Sequence, residues 1–435
     1  MSLTVLRGEI LSFMDDPDKS GEQGYVHFHD GILVVEGDKI KAVGPAEDLL
    51  SSVSADTVVL EYQNKLIMPG FIDTHIHYPQ VDVLASYGEQ LLEWLNNYTF
   101  PTERQFSDPQ HARETADFFL DELIKAGTTT ALVFGTVHPQ SVEAFFEASE
   151  LRNTRMICGK VMMDRHAPDF LCDTAEASYQ DSKALIEQWH GRGRQLYAVT
   201  PRFAITSSDE QLQKAGQLLK EYPGVFMQTH LSENTDEVDF VQKLFPGACD
   251  YLDVYDQNGL LSGRSVFAHG IHLCEREHAR LRETESSISF CPTSNLFLGS
   301  GLLDLAQLEK EQVTYSMGTD VGGGTSFSML QTLNEAYKVA QMRQYKLSPL
   351  KAFYLATLGG ARALKLDHLI GSLQPEREAD FIVLDYAATP LIKRRLSKCK
   401  NLEERLFALM ILGDDRSVAE TWVAGQCLYQ RSQND

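Results

Sequence analysis

The sequence predicts an α/β protein: a (β/α)8 TIM barrel carrying a small β-sandwich-like domain formed by both termini. Three observations lead there. Candidate strands and helical patterns alternate eight times through the middle of the 435-residue chain. Short alternating strand runs return only near the two ends. Several middle strands finish on His, Arg or Asp, a set that a purely structural core would not produce.

At the start, Gly31–Asp38, Lys39–Val43 and Thr57–Leu60 carry strand and hairpin signals, and Asp380–Asp385 and Val418–Gly425 match them at the other end. Residues 1–66 plus 372–435 are therefore expected to form one composite β-domain, and 67–371 the barrel. Strands are predicted at 66–77, 128–135, 155–164, 196–203, 225–233, 265–270, 287–295 and 313–320. Helices are predicted between them, the clearest over Asp108–Ala126, where Ala116, Phe119, Leu120, Leu123 and Ile124 share a face. The others fall at 140–152, 174–190, 208–221, 235–245, 275–285, 302–311 and 327–345. A doubly wound sheet would announce itself with a Gly-rich first βα turn, and none follows the first strand. The chain shows no internal repeat and no low-complexity segment.

Composition narrows the function. Lys and Arg number 39 against 61 Asp and Glu, a net charge of −22. Such a balance argues against nucleic acid and against an anionic membrane surface as partners, since both require a basic face. The 7 cysteines are odd in number and form no C-x-x-C pair, which excludes a disulfide scaffold. Met1–Glu9 holds no basic run followed by an apolar stretch, and no window approaches the length of a membrane span. A soluble, reduced, cytoplasmic protein is expected.

In a barrel, reactive groups sit at the C-terminal ends of the strands. The first predicted strand ends His75-Ile-His77, the fourth Arg202-Phe203, the sixth on His269 and the eighth on Asp320, while the fifth carries His230 and Glu233. His75 and His77 are two apart and so point to one side of a strand, the barrel interior. With His230, His269 and Asp320 converging from other strands they suit one borderline cation, Zn2+ or Fe2+. The other reading of the pair is two hydrogen-bonded core histidines. His27-Phe-His29 repeats the spacing but falls in the terminal domain, where no partners and a plain surface role are expected. The remaining histidines, among them His272, are assigned no chemistry. The fourth strand offers no Lys or Glu to bridge two ions. Lys160 and Asp164 on the third could, but Lys160 would lie too deep, so one ion per chain is expected.

A single cation with open positions lowers the pKa of water towards neutrality and supplies hydroxide. Glu233, three residues beyond His230, suits a general acid/base; alternatively it is a first-turn acidic residue of a helix starting near Asn234. His269 is either a ligand or a hydrogen-bond partner of the hydroxide. Asp320 takes a metal position or the second proton. Gly322-Gly323-Gly324 is read as a tight turn beside Asp320 more readily than as a phosphate cradle. H-E-x-x-H, Walker, G-x-S-x-G and H-x-E/P-C-x-x-C signatures are all missing.

Pro69-Gly-Phe-Ile-Asp-Thr-His-Ile-His77, Ala126-Gly-Thr-Thr-Thr130 and Gly371-Ser-Leu-Gln-Pro through Asp385 resemble the first strand, second strand and domain return of the amidohydrolase superfamily. His75 to Gln80, Leu91-Leu-Glu-Trp-Leu95 with Tyr98-Thr-Phe-Pro101, Thr200 to Phe203, His230 to Asn234, Cys291 to Ser300 and Gly318 to Gly324 are similar to its guanine-deaminating branch. The resemblance implies one zinc held by His75, His77, His230 and Asp320, with His269 beside the water. It implies a purine substrate read by Gln80 and Arg202, lined by Phe203 and approached by His230 and Glu233. Guanine, xanthine and ammonia are the implied reactants and products, and a homodimer the implied assembly. An amide that donates and accepts, beside a guanidinium that only donates, suits a purine edge. Alternatively, Arg202 pairs with a buried carboxylate, Gln80 caps the next helix, and Trp94 and Tyr98 serve loop packing rather than a stacking lid. His166 departs from the family's Asn, which bears on hydrogen bonding near the mouth. Other substrates open to this branch are another purine, a pterin or an s-triazine. A non-catalytic scaffold of the same fold would have lost strand-end histidines that are kept here.

Overall fold

The structure, a computed structural model, describes residues 3–54, 56–87 and 90–432. Among these the strands form two sheets. The barrel staves are Phe71–His77, Thr128–Phe134, Arg155–Gly159, Leu196–Pro201, Phe226–Leu231, Ser265–His269, Ser287–Phe290 and Thr314–Met317. Neighbours pair in parallel from first to last. The ring closes between the last stave and the first: Asp320 N donates to the His75 carbonyl at 2.9 Å, and the Thr74 hydroxyl donates to the Met317 carbonyl at 3.0 Å.

Helices follow the staves, beginning with Pro109–Lys125, Pro139–Arg152, Ala175–Trp189 and Asp209–Glu221. Their starts are written in the sequence. Asp108, Thr174, Ser208 and Asn234 each accept a backbone N–H of the turn they open, and Pro109 and Pro139 occupy first-turn positions where no N–H is needed. Phe119, Phe145, Phe146 and Trp189 fill the space between staves and helices. Fully burying each such ring contributes about 2–3 kcal/mol. The bottom of the barrel is plugged by Ile72, Leu132, Ile157, Phe226 and Val266 against Leu364, Leu366 and Ile370.

Three elements differ from their predicted form. The expected strand 66–77 is two: Val59–Pro69 belongs to the terminal sheet and Phe71–His77 to the barrel. Gly70 is the joint, and a Cβ there would stand 2.3 Å from the Thr129 hydroxyl. The expected strand 287–295 stops at Phe290, because Pro292 opens a short helix, Pro292–Phe297. The segment after the first stave, for which the sequence predicts no element, is helical: Leu91–Trp94, a π turn over Leu95–Thr99, then Phe100–Glu103.

Both chain ends build one seven-stranded sheet, ordered Gln426–Gln430, Val418–Val423, Phe381–Asp385, Val59–Pro69, Leu3–Phe13, Tyr25–Glu36, Lys39–Pro45. Its sandwich-like character comes from one curled sheet rather than two stacked ones: Leu6, Leu33 and Ile40 from one half share a cluster with Phe381 and Trp422 from the other. Register shifts at Gly8, Val34, Val383 and Thr421 supply the bending. The C-terminal portion also carries helices Pro390–Leu396 and Leu402–Leu412, whose Ile392, Leu406 and Leu409 join the barrel core. Barrel and sheet are further tied by buried charge. Glu378 accepts from Arg155 Nε at 2.7 Å and Arg194 Nη2 at 2.6 Å, and Arg194 also pairs with Asp380.

Candidate metal and substrate site

Alternation along the first stave carries Ile72 to the floor and Thr74 to the middle of the barrel, where its hydroxyl lies 2.7 and 2.8 Å from those of Ser289 and Ser316. A register irregularity between Asp73 and Ile76 then re-aims the strand end, so that His75 and His77 both reach the mouth. His230 arrives from the fifth stave, His269 from the sixth, and Asp320 from the turn after the eighth. His269 and Asp320 hold left-handed backbone, φ 72° and 51°, a conformation that persists where surrounding structure enforces it.

The donor atoms meet. His77 Nε2 lies 3.2 Å from both His75 Nε2 and His230 Nε2, and Asp320 Oδ1 lies 3.3 Å from His75 Nε2 and 3.4 Å from His77 Nε2. Four donors 2.0–2.1 Å from a tetrahedral zinc stand roughly 3.3–3.4 Å apart, so the spacing matches the edges of a coordination tetrahedron. His230 Nδ1–H donates to the Arg202 carbonyl at 2.7 Å, which leaves Nε2 with a free lone pair for a cation. Burial pushes His77, His230 and His269 well below the ordinary imidazole pKa, and neighbouring imidazoles reinforce it. Neutral rings are what a cation needs. The donor set therefore fits one zinc ion.

The other arrangements weighed from sequence lie elsewhere. Lys160 is buried against Asp173, and Asp164 accepts from Ser208 N at 2.7 Å. Cys291, overlooked in the sequence, has its sulfur close to His75 and Asp320. Burial raises this thiol far above its usual pKa, with the Asp320 and Asp73 charges adding to the effect. His27 does have a partner, contrary to expectation, while His29 is exposed: His27 Nε2 is 2.7 Å from Glu9 Oε1, which also accepts from Arg405 at 2.6 Å. That oxygen is taken by hydrogen bonds, and the guanidinium beside it repels a cation.

Glu233 is buried, accepts the Ser300 hydroxyl at 2.9 Å through Oε1, and holds Oε2 3.4 Å from His269 Nε2. Burial raises its pKa well above the carboxylate norm, and the Glu237 and Asp320 charges push the same way. The competing helix-start role falls to a neighbour. Asn234 caps Thr235–Leu244, and Glu237 accepts the N–H of Glu233 at 2.8 Å and of Asn234 at 3.0 Å. Asn295 Nδ2 lies 2.8 Å from His269 Nδ1, and Ser300 is held by His272 Nε2, which donates to its carbonyl at 2.9 Å.

Above this floor opens a small cavity of about 30 Å3. Gln80, Arg202 and Phe203 line it, as does Trp94, whereas Tyr98 packs against the core. Gln80 does not cap a helix; it lies in a 3-10 turn, Tyr78–Val83. Its Nε2 is 3.1 Å from His77 Nδ1 and donates to Glu103 at 3.1 Å. Arg202 lines the cavity and also pairs with a buried carboxylate: Nη1 donates to both oxygens of Glu103, at 2.9 and 2.8 Å. Sequence reading did not single out Glu103. Gly322 adjoins Gln80, and a Cβ there would stand 2.0 Å from Gln80 Oε1, while one at Gly324 would stand 1.9 Å from the Thr319 carbonyl, so the glycine run is both room for a side chain and the expected tight turn beside Asp320. His166, at φ 49°, meets Phe240 edge-on at 5.4 Å.

Comparison with known proteins agrees with this geometry. The model of the amidohydrolase family matches residues 66–428. The chain is 53% identical to the guanine deaminase of Escherichia coli (strain K12) over 434 residues, 99% of each protein, and superposes on the structure of an E. coli guanine deaminase with a TM-score of 0.97, covering 99% of this chain and 100% of that one. A probable guanine deaminase of Deinococcus radiodurans is 42% identical, covering 93% of this chain and 94% of its own. The guanine deaminase of C. acetobutylicum, solved with guanine in its active site, is 28% identical with a TM-score of 0.88, over 98% of this chain and 100% of that one.

Proposed function

Because the chain belongs to the amidohydrolase family, we propose that its barrel mouth catalyses the zinc-dependent hydrolytic deamination of guanine to xanthine and ammonia. His75, His77, His230 and Asp320 would hold the ion. When bound, it makes a nucleophile of water at neutral pH.

The chain's own groups do the rest. Gln80 and Arg202 orient the purine edge and Phe203 lines its pocket, so the carbon bearing the exocyclic amine lies over the metal ligands. A carbon–oxygen bond forms at that carbon and its bond to the amine breaks. Glu233 accepts a proton from the attacking water and returns it to a ring nitrogen; its raised affinity for protons makes it a stronger base for the first half of that transfer. His269, 3.4 Å from Glu233, steadies the oxygen, and Asp320 takes the second proton on its way to the leaving amine. The observation that carries the reading is the tetrahedral spacing of four donors beside a carboxyl group freed from capping by Glu237.

One zinc per chain, with Fe2+ as a substitute, and a cytoplasmic homodimer complete the proposal. No helix among the described residues is long and apolar enough to cross a membrane. Ammonia release from guanine, with metal content measured on the same sample, tests the reading. Turnover of adenine, a pterin or a triazine at or above the rate on guanine overturns the substrate assignment.

A further inference from the structure

We propose that Glu103 is a positioning residue that makes Arg202 and Gln80 a single purine-reading edge and cancels the charge of that edge. The inference rests on the cavity being the purine site. Glu103 is fully buried at the end of the helical turn Phe100–Glu103, and Arg202 is 2% exposed. Its carboxylate takes Arg202 Nη1 on both oxygens and Gln80 Nε2 on one. The same turn lays the Phe100 ring 5.4 Å from the guanidinium carbon, so Arg202 is held at its edge and on its face by one short element.

Two consequences follow from charge and hydrogen-bond chemistry. A guanidinium buried without a counter-charge would draw anions into the cavity; paired with Glu103 it acts as a neutral donor array, matched to an uncharged base. With Nε2 committed to Glu103, Gln80 offers its Oε1 as acceptor, so the edge presents donors from Arg202 beside an acceptor from Gln80. The brace thus sets both orientation and selection against anionic purines.

The test uses the full-length, zinc-loaded chain with Glu103→Gln and Glu103→Asp, guanine as substrate and urate, a purine that is an anion at neutral pH, as inhibitor. Glu103→Gln is expected to raise KM about tenfold or more with kcat within about threefold, while urate inhibition tightens about tenfold. Glu103→Asp keeps the charge and is expected to recover most of the urate discrimination. An unchanged KM and unchanged urate inhibition overturn the proposal, as does a loss confined to kcat. A double variant, Glu103→Gln with Arg202→Met, removes both charges; losses in kcat/KM that simply add also overturn it. Absence of guanine turnover in the unaltered chain would instead sink the underlying reading of the site.

Discussion

Glu233 carries the heaviest chemical demand of any single side chain here. It is buried, which raises its affinity for protons, and its two oxygens have separate tasks, one fixed by Ser300 and one facing His269. Glu233→Gln preserves shape and the Ser300 contact but not proton transfer. It is expected to retain full zinc content while kcat falls by about 10^2–10^4-fold, measured by ammonia release and elemental analysis. At this scale the sequence was most legible where chemistry demands a residue type at a strand end. His75, His77, His230, His269 and Asp320 were all found that way, and they converge. Glu103 was not. It lies 99 positions from Arg202 and 23 from Gln80, on a segment with no strand-end signal, and only the folded chain joins them. His27 and His29 show the opposite limit, since their spacing equals that of the metal pair while a hydrogen bond to Glu9 occupies the would-be site.

At the level of elements, glycines mark where backbone meets a functional side chain. Gly322 has φ 122°, and a methyl group there would collide with Gln80 Oε1. Gly322→Ala is expected to displace that amide and lower kcat/KM for guanine by about tenfold to a hundredfold, with zinc content intact. A variant kinetically equal to the parent would show that Gln80 does not need this space. Elements with strong local signals were read well; the helix starts expected at 108, 174, 208 and near Asn234 coincide with observed ones, each capped by a side chain. Boundaries inside continuous apolar runs were not. Residues 66–77 carry a Pro69-Gly70 turn signal, but the change of sheet there shows only in the fold, through the approach of Thr129, 59 positions away along the chain. The Leu91–Glu103 segment escaped because a π turn disrupts helical periodicity and Pro101 argues against a helix.

For the whole molecule, the joint between barrel and terminal sheet rests on buried charge. Burial alone would raise the pKa of Glu378, but Arg155 and Arg194 outweigh it and hold the group at about 2. Its unfolded value is about 4.3. A carboxyl depressed on folding stabilises the native state above its unfolded pKa and loses that contribution as pH falls through the folded one. Glu378→Gln is therefore expected to cost about 3 kcal/mol near pH 7, with the gap between variant and parent closing from about pH 4.3 towards pH 2 in denaturant titrations. A gap independent of pH would mean that packing, not charge, fastens the two parts. The composite domain itself was visible from paired strand runs at both ends. Its curled single sheet was not, since bending depends on register shifts that leave no mark in the hydropathy pattern.

The apolar plug formed by Ile72, Leu132, Ile157, Phe226 and Val266 closes the barrel floor, so among the described residues the mouth is the doorway. Reactants and spent molecules share it, so xanthine that lingers at the threshold bars the next guanine from its berth. If xanthine leaves after ammonia, its inhibition is accordingly expected to be competitive with guanine in steady-state assays, and a mixed pattern would show that it leaves first.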